Sequence, residues 1–187
     1  MSAAPFYVVL LHDQMVDRQQ TLVTTSITLI DVHDLARSSR TFGVAGLFVA
    51  HPSVAQRKLS GMLKNFWEEG FGATYNPNRR EALEHVRIVS DLDEAIHHID
   101  LETGQIPRLI ATSAKAGGTR TSFRECKELL ATSPQPSMMM LGTGWGMSEG
   151  LLARADLFLE PVCGPGEYNH LSVRSACAIM LDRLFGT

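Results

Sequence analysis

The sequence predicts an α/β protein built on a mostly parallel sheet with helices on both faces. Short apolar runs alternate with amphipathic stretches along the 187 residues, and this alternation is the pattern of that class. The apolar runs favour parallel strands that are covered on both faces. No linker rich in glycine, proline or serine divides the chain, so we expect one domain over residues 1–187.

The strands are predicted from short apolar runs, of which FYVVLL at residues 6–11 is the first. The predicted strands are 6–11, 46–50, 86–89, 108–112, 138–141 and 157–159.

The helices are predicted from apolar stripes and from residues that begin or end helices. Asp91 is a candidate N-cap for a helix that places Leu92, Ala95 and Ile99 on one face. Gly43 is a candidate C-cap for the first helix. Residues 70–80 are predicted to form an exposed loop with a turn at Pro77 and Asn78. The predicted helices are 31–42, 53–69, the one capped by Asp91, 122–130, 148–153 and 171–185.

Composition narrows the class of protein. Hydrophobic residues make up 44% and charged residues 20%, which is typical of a soluble globular chain. We expect no membrane span and no secretory signal, and the three cysteines without a CxxC pair favour reduced thiols in the cytoplasm. A net charge of −3 gives no overall sign of a nucleic-acid binder, although a local basic patch is sufficient for an enzyme that acts briefly on RNA.

Three loops rich in glycine and small residues follow predicted strands late in the chain, at 111–115, 141–148 and 161–172. Ligands of open α/β sheets bind beyond the carboxyl ends of the strands, so we expect these loops to form one pocket. The pattern Gly142-x-Gly144-x-Gly146 is a weak match to a dinucleotide fingerprint, which belongs at the first strand–helix turn. Residues 15–29 contain no glycine, so a Rossmann-type oxidoreductase ranks last among the candidate functions.

Three segments resemble the SPOUT class of RNA methyltransferases. LGTGWGMSEGLLARADLFLEP and then GPGEYNHLSVRSACAIMLDRL, within residues 141–184, are similar to the C-terminal cofactor region of that class. ATSAK at 111–115 resembles its first cofactor loop. DVHDLARSSRTFG at 31–43 resembles the helix that carries the functional arginine of SPOUT ribose methyltransferases, with Arg37 at the matching offset. The resemblance covers the whole chain and is closest to a bacterial family of predicted SPOUT RNA methyltransferases.

This resemblance implies a C-terminal deep trefoil knot, which sequence rules alone would not predict. It also implies bound S-adenosyl-L-methionine, a homodimer, and an RNA substrate, either tRNA or rRNA. Asp31 and His170 stand where the ribose methyltransferases carry asparagine, so both a ribose 2′ oxygen and a base nitrogen stay open as methyl acceptors. The alternative function is a catalytically inactive α/β module that binds RNA or a nucleotide.

The resemblance and the chemistry of the residues together suggest roles for individual residues, each beside a structural alternative. Arg37, Glu167, His170 and Asn169 are the candidate catalytic residues, and solvated charge or helix capping is the alternative. Arg40, Arg174, Arg79 and Arg80 are the candidate RNA contacts. No metal-ligand set is present, and His97 and His98 are expected on a solvated helix face. The candidate cofactor-binding residues are Thr112, Ser113, Ala114, Leu141, Gly142, Gly144, Gly146, Pro161, Val162, Gly164, Gly166, Leu171 and Ser172.

Overall fold

A computed structural model describes residues 4–115 and 117–187, and its centre is a six-stranded sheet in which every neighbouring pair is parallel. The strand order is β5-β4-β1-β7-β6-β8, which confirms the predicted α/β class. A small antiparallel hairpin, β2–β3, lies outside this sheet. The strands are β1 Phe6–Leu11, β2 Met15–Val16, β3 Leu22–Val23, β4 Gly46–Ala50, β5 Val86–Val89, β6 Arg108–Ala111, β7 Ser137–Gly142 and β8 Leu157–Phe158.

Helices cover both faces of the sheet. Alternate residues of β1 supply the two cores, with Val8 and Leu10 on one side and Tyr7 and Val9 on the other. The first core is closed mainly by α1, α4, α6 and α8, and the second by α5 and α7. The helices are α1 Leu29–Thr41, α2 Val54–Glu68, α3 Phe71–Tyr75, α4 Pro77–Glu84, α5 Leu92–Thr103, α6 Phe123–Thr132, α7 Glu149–Leu152 and α8 Val173–Phe185. No helix in 4–115 or 117–187 is both long enough and apolar enough to cross a membrane.

Strand register brings the predicted loops to one edge of the sheet. Leu11 at the end of β1 pairs with Gly142 at the end of β7, and Ala111 at the end of β6 pairs with Met140. The chain adds β4 and β5 on one side of β1, and then places β7, β6 and β8 on the other side. A crevice forms where the strand order reverses in this way, and it is where ligands bind in open α/β sheets.

Capping residues fix the helix ends as expected in several places. Asp91 accepts a hydrogen bond from the amide of Glu94, and Gly43 has a φ of 71°, which suits glycine directly after a helix. The last helix begins at Val173 and not at 171, because the Ser172 hydroxyl accepts from the amide of Ser175 and so occupies the N-cap position.

The prediction of an exposed loop over 70–80 is wrong, because this segment lies mostly in α3 and α4. Pro77 is the first residue of α4, where its missing N–H costs nothing. The Asn76 side chain caps the same helix by accepting from the amide of Arg79 at 3.0 Å. Proline and asparagine therefore begin a helix here and do not form the predicted turn.

Candidate functional site

The three predicted loops meet around a cavity of about 770 Å³ at the carboxyl edge of β6, β7 and β8. Its size suits a cofactor-sized ligand. Segment 25–31 and the first turn of α8 complete the wall. Of the predicted site residues, those that line the cavity are Thr112, Ser113, Ala114, Leu141, Gly142, Gly144, Gly146, Pro161, Val162, Asn169, His170, Leu171, Ser172 and Arg174.

The loop after β7 needs its glycines for two different reasons. A Cβ on Gly142 would lie 2.8 Å from Cγ of Met147, so any side chain would displace the packing beneath the loop. Gly144 and Gly146 have φ values of 60° and 113°, a region that side chains disfavour. The backbone therefore follows a tight path that residues with side chains disfavour.

The β2–β3 hairpin holds this loop from behind. The amide of Val16 donates to the carbonyl of Gly146 at 2.9 Å, and the amide of Trp145 donates back to the carbonyl of Val16 at 3.1 Å. The hydroxyls of Thr25 and Thr143 form a hydrogen bond at 2.5 Å across the cavity wall. The loop is thus fixed before any ligand arrives, which lowers the ordering cost of binding.

Two buried histidines hold Thr25 in place. The amide of Thr25 donates to the carbonyl of His12 at 2.8 Å, and Nε2 of His51 donates to the carbonyl of Thr25 at 3.0 Å. The amide of Ser53 donates to Nδ1 of His51, so the proton of that ring lies on Nε2. His12 is only 1% exposed, and burial lowers its pKa to about 4.

The loops after β6 and β8 are joined by Asn169, whose side-chain amide donates to the carbonyl of Ala114 at 3.0 Å. The Thr112 hydroxyl donates to the carbonyl of Met140 at 2.8 Å, and the Ser113 hydroxyl accepts from the amide of Lys115 at 3.1 Å. These side chains shape the two loops, and the hydroxyl oxygens of Thr112 and Ser113 keep lone pairs free for a ligand.

Arg174 lies in the first turn of α8, where a cation opposes the helix dipole. Its guanidinium donates to Asp31 at 2.7 Å and approaches Asp34 at 3.3 Å. Both acids belong to α1, so this cluster joins the beginnings of α1 and α8.

Arg37 lies outside the cofactor-sized cavity, in a second cleft of about 400 Å³ between α1 and α8. Asp34 and Arg174 also line this cleft, and Arg174 lines both spaces. Among residues 4–115 and 117–187, no acidic side chain pairs with Arg37.

Other predicted residues lie away from both spaces. Arg40 pairs with Glu81 and Arg80 with Glu84, while the Arg79 guanidinium stacks 4.3 Å from the centre of the Trp67 ring. These contacts are made with protein groups on the α1, α2 and α4 surfaces. Gly164, Gly166 and Glu167 lie in the exposed loop after β8 but do not line the cavity.

Sequence reasoning missed the hydroxyl side chains of the cavity wall before Asp31, namely Thr25, Ser26 and Thr28. The run TLVTTSITL contains several hydroxyl side chains directly before α1, and this was the available signal. Sequence reasoning also gave Trp145 no role in the site, although it is 52% exposed and lines the cavity.

The residues present fit the adenosyl part of S-adenosylmethionine. The position a Cβ would take at Gly146 is open, and Leu141, Val162 and Leu171 provide apolar walls. Within the described chain, the amides of Gly144, Val162 and Leu171 donate no hydrogen bond to protein. Apolar walls with a few convergent backbone donors are what a nucleoside-binding slot requires.

Comparison with known proteins agrees with this geometry. A tRNA (guanine-N(1)-)-methyltransferase from Oleidesulfovibrio alaskensis is 40% identical over 180 residues, which are 96% of this chain and 42% of that protein. The chain therefore spans less than half the length of this curated relative.

Solved structures show the same fold. A probable methylase family protein from Haemophilus influenzae Rd KW20 superposes with a TM-score of 0.65 at 19% identity, covering 97% of this chain and 65% of its own. The SpoU methyltransferase AviRb from Streptomyces viridochromogenes, in complex with AdoMet, gives 0.57 at 15% identity, covering 99% and 61%. These likenesses confirm the SPOUT resemblance at the level of fold. The profile of the SAM-dependent RNA methyltransferase family matches residues 5–186, and the chain belongs to that family.

Proposed function

We propose that this chain transfers a methyl group from S-adenosylmethionine to tRNA, with a ribose 2′ oxygen as the acceptor. Family membership supports the cofactor and the RNA. The observation that carries the choice of acceptor is the position of Arg37. It lies in a cleft that adjoins the cofactor cavity at Arg174, and no acid among the described residues neutralises it.

A guanidinium in that cleft suits a ribose–phosphate strand. Arg37 binds a phosphate through paired N–H donors and so places the adjoining ribose at the mouth of the cavity. Arg40 lies one turn further along α1 but is engaged with Glu81, so it has a secondary role. S-adenosylmethionine, when bound, supplies a methyl group on a cationic sulfur. In-line placement of the acceptor oxygen is then the main task of the protein.

The acceptor hydroxyl must lose its proton during transfer. His170 lines the cavity, and its ring centre lies 5.3 Å from that of the exposed Tyr168. Glu167 is exposed and lies outside the cavity lining. We therefore favour His170 over Glu167 as the proton acceptor, with Asn169 holding the loop against Ala114.

A base nitrogen is the second candidate acceptor, because the Oleidesulfovibrio alaskensis relative carries the name tRNA (guanine-N(1)-)-methyltransferase. The shared segment is 42% of that protein, so the named activity need not reside in the shared part. Asp31, which lines the cavity in place of the expected asparagine, would be the candidate base for such a reaction.

The proposal also covers the knot, the domain, the oligomeric state and the location of the protein. The SPOUT fold supports a C-terminal trefoil knot around the cofactor cavity and one domain over residues 1–187. Exposed apolar side chains near the cavity, namely Ile30, Tyr168 and Leu171, support a homodimer that covers them. An RNA substrate of this kind supports a cytoplasmic location. Light scattering coupled to gel filtration tests the dimer directly.

The experiment incubates the chain with methyl-labelled S-adenosylmethionine and either bulk tRNA or rRNA. The RNA is then digested to nucleosides, which are identified by mass spectrometry. We expect 2′-O-methylated nucleosides from tRNA. A 1-methylguanosine product would select the second acceptor, and cofactor binding without any product would select the inactive binding module.

Two arginine variants form the matched pair for this assay. Arg37→Ala should abolish transfer while leaving cofactor affinity unchanged. Arg124→Ala, on the exposed surface of α6, should leave both unchanged. Full activity in Arg37→Ala would remove the argument for a ribose–phosphate strand in the cleft.

A further inference from the structure

In the part of the chain that the structure describes, Arg174 is the one residue that lines both the cofactor cavity and the Arg37 cleft. Its two acidic partners lie on opposite sides of this boundary. Asp31 lines the cofactor cavity, and Asp34 lines the cleft. The guanidinium therefore bridges the two spaces through contacts of 2.7 Å and 3.3 Å.

The contacts of Arg174 determine whether Asp34 is available as an ion-pair partner for Arg37. Asp34 precedes Arg37 by three residues on α1, so the two side chains are neighbours on the helix surface. An unengaged Asp34 would be the nearest ion-pair partner for Arg37. Arg174 approaches that carboxylate instead, and Arg37 keeps its guanidinium free of acidic partners among the described residues.

The position of Arg174 is not explained by its own helix. A cation in the first turn of α8 is unfavourable to the helix dipole, while Ser172 already caps that helix. Asp31 is suited to the first turn of α1 without any partner. The ion pairs across the two helices are therefore the feature that favours arginine at position 174.

We propose that Arg174 is a positioning residue for RNA binding: it engages Asp31 and Asp34, and so keeps Arg37 available to the RNA phosphate. This inference rests on the proposed function, in which Arg37 contacts the RNA strand. Arg174 itself acts through the two acids and not by binding phosphate.

The test measures binding of bulk tRNA with S-adenosylhomocysteine saturating, so that cofactor loading does not vary. In Arg174→Met, Asp34 pairs with Arg37 and one phosphate contact is lost. We expect affinity to fall about tenfold, and the slope of log K against log salt to become shallower by about one. In Arg174→Met/Asp34→Asn, Arg37 is free again, and affinity should return to within about threefold of the unaltered chain.

The double variant separates the two roles that Arg174 could have. Direct contact between Arg174 and phosphate predicts that Arg174→Met/Asp34→Asn stays weak, and that outcome overturns the proposal. Arg154→Met is the matched control, because Arg154 is also 34% exposed and pairs across elements with Asp93, but lines neither space. It should bind tRNA as the unaltered chain does.

A second measurement does not depend on RNA. Exchange of the Arg37 Nε–H with water, followed by ¹⁵N NMR and assigned with Arg37→Lys, should be fast in the unaltered chain. It should slow in Arg174→Met and become fast again in Arg174→Met/Asp34→Asn. Equal exchange in all three overturns the inference even if tRNA is methylated. If exchange changes as expected but no variant binds tRNA, the pairing of Arg174 with the two acids is supported. That result counts only against the proposed function.

Discussion

Acid should destabilise the wall of the cofactor cavity through His12. The ring is buried at the end of β1, and its Nδ1–H donates to the carbonyl of Ala50 at 3.0 Å. Burial lowers its pKa from 6.5 to about 4, so the unfolded chain binds the proton more readily between those values. Stability is therefore complete above about pH 6.5 and is lost as the pH falls toward 4.

The size of the effect follows from that pKa difference. A gap of about 2.5 pH units at 1.36 kcal/mol each gives an upper value of about 3 kcal/mol. This is a large share of the stability of an ordinary domain. His33, whose pKa burial also lowers, adds a change of the same sign. The wild-type chain alone therefore does not isolate the contribution of His12.

The assay is urea unfolding of the unaltered chain and of His12→Asn at about pH 7, 6 and 5. Asparagine keeps an N–H donor for the carbonyl of Ala50 but does not titrate. Most of the pH dependence should disappear in this variant, and it should persist in His97→Asn, which changes an exposed helix residue. If the free energy of unfolding changes equally with pH in His12→Asn and in the unaltered chain, the reasoning is refuted.

Three further outcomes are expected. Gly142→Ala should weaken S-adenosylhomocysteine binding at least about fivefold by calorimetry, because the new Cβ would lie 2.8 Å from Met147 Cγ. Ser172→Ala should lower the free energy of unfolding by about 1 kcal/mol in urea, since it removes the cap of α8. A thiol reagent should label only Cys163 in the folded chain, because the other two cysteines are buried and have pKa values raised to about 11 and 12.

The sheet was predictable because its strands are buried on both faces. β1 is buried along its whole length, and a continuous apolar run is visible in sequence without knowledge of its partners. The β2–β3 hairpin was not predictable for the opposite reason. Each of its strands has two residues, and Gln20, with a φ of 63°, occupies a backbone conformation that usually signals itself by glycine or asparagine.

The cavity was predictable where it depends on loops that follow strands, and not where it depends on distant pairs. Glycine-rich segments after β7 and β8 are local features, and the strand register brings them together. The hydrogen bond between Thr25 and Thr143 spans 118 positions, and the one between Arg174 and Asp31 spans 143. Neither partner has a sequence neighbour that indicates the other, so only the folded chain identifies them.

Ion pairing also explains why the net charge of −3 is a poor guide to RNA binding in this chain. Several arginines outside the cleft are engaged with acids, namely Arg40, Arg80, Arg87 and Arg154. Where the cleft meets the cofactor cavity, Arg37 and Arg174 lie beside Asp31 and Asp34, so the local sum of charges is near zero. Attraction for a phosphate then depends on the arrangement of these four charges. With both acids in contact with Arg174, the guanidinium of Arg37 keeps its N–H donors free for a phosphate, whereas pairing of Asp34 with Arg37 would occupy some of them.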